Sequence, residues 1–205
     1  AGADIKVSVM LETAIDHEVL GAEKQRKERL ARFTFLWLVS LIPRKSANLV
    51  MMSLKQAISD SADLELCIAG NGSEDARLKN IVCELDLESR VRFLGWIEKA
   101  EVNSLMEQVN AFLFTSVRDT SGNVVLEALS RGLPVLALNN QGVLEMCDDE
   151  GVCLIQPEGI DDTIQAMAEG MKRLQKYSEY SKRIGEVGQK ESSRSIDLGK
   201  LRSKD

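Results

Sequence analysis

The sequence predicts an α/β fold with a parallel, doubly wound sheet of about six strands and helices on both faces. Short, nearly continuous apolar runs recur along the chain, as expected for strands that are covered on both faces. Between them lie segments whose apolar residues are three and four positions apart, which is typical of amphipathic helices. Repeated strand–helix units favour right-handed crossovers and therefore a parallel sheet.

The predicted strands are four to eight residues long and rich in β-branched or aromatic residues. They are FTFLWLVS (33–40), LELCIAG (64–70), VRFLG (91–95), AFLFTS (111–116), PVLAL (134–138) and VCLI (152–155). Ligands of such sheets collect at the carboxyl ends of the strands. A binding site is therefore expected in the loops that follow the strands, which are 41–46, 70–74, 95–98, 116–122 and 139–142.

Four apolar stripes at helical spacing predict helices that lie on this sheet. Their members are Val50, Leu54, Ala57 and Ile58; Leu78, Ile81, Val82 and Leu85; Val102, Leu105, Met106 and Val109; and Ile160, Ile164, Met167, Met171 and Leu174. We assign these side chains to the core rather than to a binding surface, because one apolar face per helix is what a sheet covers.

The chain divides into a central α/β domain, residues 33–176, and two flanks. Residues 1–32 combine one strand-like run with a charged segment and are interpreted as a linker. Residues 177–205 are polar with interspersed glycines, which predicts a helix followed by a flexible tail. The first residues have no basic region followed by an apolar one, so we expect a cytoplasmic protein without a secretion signal.

Composition excludes several classes of function. The 205 residues carry a net charge of −6, which argues against nucleic acid as a partner. The longest apolar run, 33–42, is about half of what a membrane span needs. The cysteines lack a C-x-x-C pair and are predicted to be free, buried thiols; they are Cys67, Cys83, Cys147 and Cys153. With His17 as the single histidine, we expect no metal site and no Ser-His-Asp relay.

The loop LIPRKSAN (41–48) places Arg44 and Lys45 where the first predicted helix begins. A helix N-terminus and a lysine together suit a phosphate group. Two solvated basic side chains are the simpler interpretation, and the loop taken alone favours it.

AGNGSEDARL (69–78) contains G-x-G after a strand but lacks the third glycine of the dinucleotide fingerprint. It is interpreted as a tight turn and a helix capped by Ser73, with close approach of the backbone to a ligand left open.

DTSGNVVLEAL (119–129) contains two acids around a predicted helix start. Asp119 lies in the loop, Gly122 permits a sharp turn and Asn123 begins the helix, whose first amides can meet an anion. Glu127 follows about one turn later. Two carboxylates beside such amides suit a phosphorylated polyhydroxyl ligand. The alternative, a turn residue and a solvent-facing glutamate, is equally compatible with the spacing.

Several motifs together resemble the carboxyl-terminal half of a family 4 retaining glycosyltransferase with the GT-B fold. LIPRKSA (41–47) and DTSGNVVLEALSRGLPVLAL (119–138) carry most of the resemblance. The family's E-x7-E motif is matched by Asp119, in place of Glu, and by Glu127. Further matches are Gly122, Ala128, Gly132, Pro134 and Val135. NNQGVLEM (139–146), RVRFLGW (90–96) and LETAID (11–16) are similar to other segments of the family.

The resemblance implies a Rossmann-like domain that binds a nucleotide-diphosphate sugar as donor, with no cofactor and no metal. Lys45 would pair with the diphosphate, Glu127 would hold the ribose hydroxyls, and Asp119 would sit near the donor sugar. These three are the candidate catalytic residues.

The remaining donor-binding candidates follow from the same resemblance and are Arg44, Ser40, Trp96, Ser121, Gly122, Asn123 and Val124. The amides of 122–124 would take phosphate or sugar oxygens, and Trp96 could line the base site. Ser40 stands where the family often has a phosphate-binding arginine, and Arg44 is the residue expected to replace that contact.

The expected partners are a nucleotide sugar, an N-terminal GT-B domain to which 1–32 would lead, and a glycan or lipid-linked acceptor. The isolated domain is then expected to bind donor without transferring sugar, and the full-length protein could sit peripherally at the inner face of a membrane. Two alternatives stay open: a sugar-nucleotide epimerase of GT-B architecture, and a non-catalytic nucleotide-binding or interaction module.

Overall fold

The computed structural model describes residues 30–115, 123–139, 151–176 and 179–190. The described strands are β1 (Phe33–Leu38), β2 (Leu64–Ala69), β3 (Val91–Gly95), β4 (Ala111–Phe114), β5 (Val135–Leu138) and β6 (Val152–Ile155). The described helices are α1 (Ala47–Ser59), α2 (Asp75–Glu84), α3 (Lys99–Gln108), α4 (Asn123–Ser130), α5 (Ile160–Lys176) and α6 (179–190). A 3-10 turn, Pro43–Lys45, precedes α1.

The strands form one parallel sheet in the order β3-β2-β1-β4-β5-β6. The chain runs outward from β1 to β3 and then returns to the centre, where β4 pairs with β1 through Phe35 opposite Ala111 and Leu36 opposite Phe112. The direction of winding thus reverses between β1 and β4. A crevice above the carboxyl ends of these two strands is the expected ligand position in such a sheet.

Two apolar cores cover the two faces of the sheet, which confirms the doubly wound prediction. Phe35 and Trp37 of β1 point into the core that α1, α2 and α5 cover. Leu36, between them, points into the opposite core with Phe112 and the inner faces of α3 and α4. Because successive strand side chains alternate between faces, burial on both sides requires a continuous apolar run.

α6 packs against α4, against the turn between α4 and β5, and against Gly151 before β6. At Gly188 a Cβ would lie 2.9 Å from the carbonyl oxygen of Gly151, and at Gly185 it would overlap the carbonyl oxygen of Gly132. Glycine at both positions therefore allows α6 to approach the main chain directly. Among the described helices, none combines the length and the apolar composition that a membrane span needs.

Three local predictions are wrong. Ile160 is exposed, because α5 begins at this residue and its first turn extends past the core. The N-cap of α2 is Glu74 rather than Ser73, since the helix begins one residue later than the turn pattern suggests. Cys83 is exposed on α2, whereas Cys67 and Cys153 are buried free thiols as predicted; Cys147 lies outside the described residues.

The strands themselves are shorter than the apolar runs that predict them. β1 ends at Leu38 instead of Ser40, and β4 ends at Phe114 instead of Ser116. Val39 and Ser40 after β1, and Thr115 after β4, therefore belong to the loops that follow these strands. These extra loop residues contribute to the crevice above β1 and β4.

Candidate functional site

A cavity of about 340 Å³ lies at the point where the winding of the sheet reverses. Its lining comes from the ends of β1, β2 and β4 with the residues that follow them, the 3-10 turn, the first residues after β3, one residue of α3 and the start of α4. Four predicted site residues line it together: Ser40, Lys45, Trp96 and Val124. A second, larger cavity of about 900 Å³ between α5, β6 and the α1–β2 turn is lined, among described residues, by none of the predicted site residues.

Lys45 ends the 3-10 turn and is 9% exposed. Its backbone N–H donates to the carbonyl of Ile42 at 3.0 Å, and Pro43 sets the backbone at the start of the turn. Ser46, which follows, has φ 55° and ψ 40°, in the left-handed region. For a residue other than glycine this conformation costs on the order of 1 kcal/mol. The turn is therefore strained at its junction with α1.

Thr115, the first residue after β4, holds this strained turn from the other side of the crevice. Its hydroxyl donates to the carbonyl oxygen of Lys45 at 3.0 Å, and the residue is 1% exposed. The bond joins positions 70 apart in sequence and links the loop after β1 to the end of β4. Sequence reasoning missed Thr115, because no local pattern pairs it with Lys45.

The loops after β1 and β2 are joined through their backbones. Leu41 N–H donates to Asn71 O at 3.0 Å, and Glu74 N–H donates to Leu41 O at 2.9 Å. A Cβ on Gly70 or on Gly72 would overlap the backbone oxygen of the β1 loop. The two glycines of the G-x-G segment therefore allow the loop after β2 to lie directly against the backbone of the loop after β1.

Trp96 follows β3 at the mouth of the cavity and is 71% exposed. Gly95 before it has φ 68°, in the left-handed region that glycine adopts without strain. An indole exposed to this degree presents a flat apolar face and one N–H donor to whatever occupies the cavity.

α4 begins at Asn123, as predicted, and Val124 in its first turn lines the cavity. Glu127, one turn later, carries a carboxylate whose Oε2 forms an ion pair with the Nζ of Lys99, the first residue of α3. Glu127 therefore lies at the contact between α3 and α4, and it is not among the described residues that line the cavity. Lys99 is a second residue that the sequence reasoning missed.

Arg131 continues this polar contact between the two helices. Its guanidinium donates to the carbonyl oxygen of Glu127 at 2.8 Å and to Oδ1 of Asn103 at 2.7 Å. Burial lowers the pKa of Arg131, while the nearby Glu127 carboxylate acts in the opposite direction. The backbone at Glu127 is thus held by α3 as well as by its own helix.

Several candidates lie beyond what the structure describes. Asp119, Ser121 and Gly122 fall outside the described residues, and so do the side chains of Arg44 and Asn123. Among the described residues, no group of three or more His, Cys, Asp or Glu side chains is placed to hold a metal ion.

The model of the family described as "Glycosyl transferases group 1" matches residues 22–191. The chain belongs to this family. The recognition of a glycosyltransferase domain from its motifs is thereby confirmed, whereas the narrower assignment to family 4 stays a prediction.

Curated relatives of this glycosyltransferase domain are much longer than the chain. The GPI3 subunit of phosphatidylinositol N-acetylglucosaminyltransferase from Saccharomyces cerevisiae is 22% identical over 142 residues, which are 69% of this chain and 31% of the relative. The chain thus spans about a third of the length of the curated relatives it matches first.

Solved structures show the same fold. The pneumococcal O-GlcNAc transferase GtfA, in complex with UDP and GlcNAc, superposes with a TM-score of 0.74 at 20% identity, over 86% of this chain and 35% of that one. The C-terminal domain of LpcC, a group 1 family glycosyl transferase from Francisella tularensis, gives 0.73 at 17% identity, over 88% and 97%. The predicted Rossmann-like second half of a GT-B fold is confirmed.

Proposed function

We propose that this chain is the donor-binding domain of a glycosyltransferase that uses a nucleotide-diphosphate sugar. Transfer would proceed to a glycan or lipid-linked acceptor, with retention of configuration and without a metal ion. The observation that carries the proposal is the convergence of Lys45, the first turn of α4 and Trp96 on one cavity where the winding of the sheet reverses. Its volume of about 340 Å³ lies within the usual range of small-molecule sites.

The chemistry of the cavity suits a diphosphate leaving group. In transfer without a metal ion, the charge that develops on the diphosphate has to be met by protein groups. Lys45 supplies an ammonium group, and the amides at the start of α4 supply donors together with the positive end of the helix dipole. Trp96 offers the apolar face against which a nucleobase stacks.

Glu127 is proposed to accept hydrogen bonds from the ribose hydroxyls. It lies one helical turn beyond Val124, which lines the cavity, and its side chain is 14% exposed. Asp119, Ser121 and Gly122 are proposed to contact the donor sugar and the phosphates, as the family resemblance implies.

The acceptor site is proposed to lie on a domain beyond this chain, since the matched stretch makes up only 31% of the yeast relative. A lipid-linked acceptor finds support in the name of the yeast relative, a phosphatidylinositol N-acetylglucosaminyltransferase subunit. In that case the full-length protein would work peripherally at a membrane face. The isolated chain would bind donor without transferring sugar.

Titration calorimetry tests the donor site. The chain is titrated with UDP, GDP and the matching monophosphates in the presence of EDTA. We expect saturable binding of at least one diphosphate and weaker binding of its monophosphate. If no diphosphate produced either heat or a thermal shift, the proposal would be overturned. Retention is tested separately with the full-length protein, by the anomeric configuration of the product in proton NMR.

A further inference from the structure

We propose that Thr115 is a positioning residue that fixes the backbone of Lys45 and thereby directs its ammonium group toward the diphosphate. The inference rests on the proposed function, because it assigns a task to Lys45 in nucleotide binding. Thr115 is not among the residues that the motif resemblance singles out.

The geometry links the two residues across the crevice. The Thr115 hydroxyl donates to the carbonyl oxygen of Lys45 at 3.0 Å, and both residues are buried. Thr115 follows β4 directly, and β4 is anchored to β1 in the middle of the sheet. A rigid strand end therefore holds one backbone group of the 3-10 turn.

The turn needs such a restraint because it is strained. Ser46 occupies the left-handed region at φ 55°, and residues in such conformations persist where their surroundings fix them. The carbonyl carbon and the Cβ of Lys45 are both bonded to its Cα. Restraining that carbonyl restricts where the Cα–Cβ bond points, and so where the ammonium group can reach.

A direct contact between Thr115 and the ligand is the competing explanation, since Thr115 also lines the cavity. The two explanations differ in their dependence on Lys45. A positioning role disappears once the lysine ammonium is absent, whereas a direct contact persists.

The test is a double-mutant cycle on the full 205-residue chain with T115V, K45M and the combined variant. The probe is whichever of UDP and GDP the unmodified chain binds more tightly, measured by calorimetry. We expect T115V to raise Kd about three- to tenfold, as loss of one hydrogen bond implies. In the K45M background the same change should alter Kd less than about twofold, because the two losses are then not additive.

Two further variants complete the test. T115S keeps the hydroxyl and should restore binding to within about twofold of the unmodified chain. T34V is the matched control, because Thr34 is also buried in the sheet and its hydroxyl donates to the carbonyl of Arg32 at 2.9 Å, at the opposite end of β1. It should leave nucleotide affinity unchanged. If T115V does not fold, T115A takes its place in the cycle.

Equal effects of T115V with and without Lys45, or failure of T115S to restore affinity, would overturn the positioning role while leaving the donor site intact. An unmodified chain that binds neither UDP nor GDP would overturn the proposed function and this inference together.

Discussion

The Nζ of Lys99 on α3 forms an ion pair with Oε2 of Glu127 on α4. The two ends of the pair differ in exposure, with the lysine side chain 59% exposed and the glutamate 14%. The lysine can therefore move into solvent at little cost, while the carboxylate stays largely buried. This asymmetry suits a carboxylate that exchanges one partner for ligand hydroxyls.

Replacement of Glu127 by alanine should weaken nucleotide binding. A hydrogen bond to a charged group contributes about 1.5–3 kcal/mol, so we expect Kd to rise about tenfold or more. Calorimetry with the ribonucleotide and its 2′-deoxy and 3′-deoxy analogues identifies the contact. The unmodified chain should prefer the ribonucleotide, and E127A should lose that preference; a preference that survives in E127A would show that Glu127 does not hold the ribose.

Replacement of Lys99 by methionine should change stability little. Exposed ion pairs contribute at most about 1 kcal/mol, so K99M should lower the free energy of unfolding by no more than that. Urea denaturation monitored by circular dichroism measures it. A loss of several kcal/mol would indicate that Glu127 serves the contact between α3 and α4, and would count against its role in binding.

Replacement of Lys45 by methionine should weaken binding of the diphosphate about tenfold or more, since a charged hydrogen bond to phosphate is lost. Binding of the matching nucleoside, followed by competition, should change much less. K55M is the control, because Lys55 pairs with Asp86 on the surface away from the cavity lining. If K45M and K55M behave alike, Lys45 does not contact phosphate.

Alanine at Gly70 or Gly72 should destabilise the fold strongly. The added Cβ would overlap a backbone oxygen that belongs to the β1 loop, and backbone cannot move aside as a flexible side chain does. We expect a loss of at least about 1–3 kcal/mol, the usual cost of overpacking. Gly95 is the matched control: it has φ 68°, but among the described residues its Cβ would meet nothing within 4 Å. G95A should therefore cost only about 1–2 kcal/mol of backbone strain.

The described cysteines should differ in reactivity toward iodoacetamide. Burial raises the pKa of the Cys67 and Cys153 thiols, and a hydrogen bond with Glu88 raises the pKa of Cys83. A raised pKa lowers the thiolate fraction at pH 8, so even exposed Cys83 should react slowly, and faster as pH increases. Peptide mass mapping should find Cys83 labelled first, with E88Q accelerating it. Labelling of Cys67 at an equal rate in the folded chain would contradict this order.

The sequence predicts the sheet well, because a strand that is buried on both faces has to be a nearly continuous apolar run. Leu36 and its neighbours Phe35 and Trp37 have to be apolar together, since they face different cores. One error occurs where the apolar periodicity is extended to the first residue of a helix, Ile160, which lies beyond the part of α5 that covers the core. The exposure of Cys83 could be predicted from the sequence, because the apolar stripe through Leu78 and Val82 places Cys83 on a different side of α2.

The site is only partly predictable for a different reason. Lys45, Trp96 and Val124 could be proposed because the motifs around them resemble those of the glycosyltransferase family, and all three line the cavity. Thr115 and Lys99 could not, because each acts through a contact between distant positions, 70 and 28 residues apart. Such contacts depend on the final packing and leave no periodic pattern in the sequence.

The joined loops after β1 and β2 also bear on how this cavity could be re-engineered. Main-chain hydrogen bonds between Leu41, Asn71 and Glu74 fix the backbone of these two loops, whatever side chains the exposed positions carry. In saturation mutagenesis, most substitutions at Asn71 and Ser73 should therefore leave the fold intact. Substitutions at Gly70 and Gly72 should not. Gly70 lines the cavity and Asn71 follows it, so position 71 is a favourable starting place for directed evolution of ligand preference without displacement of the backbone.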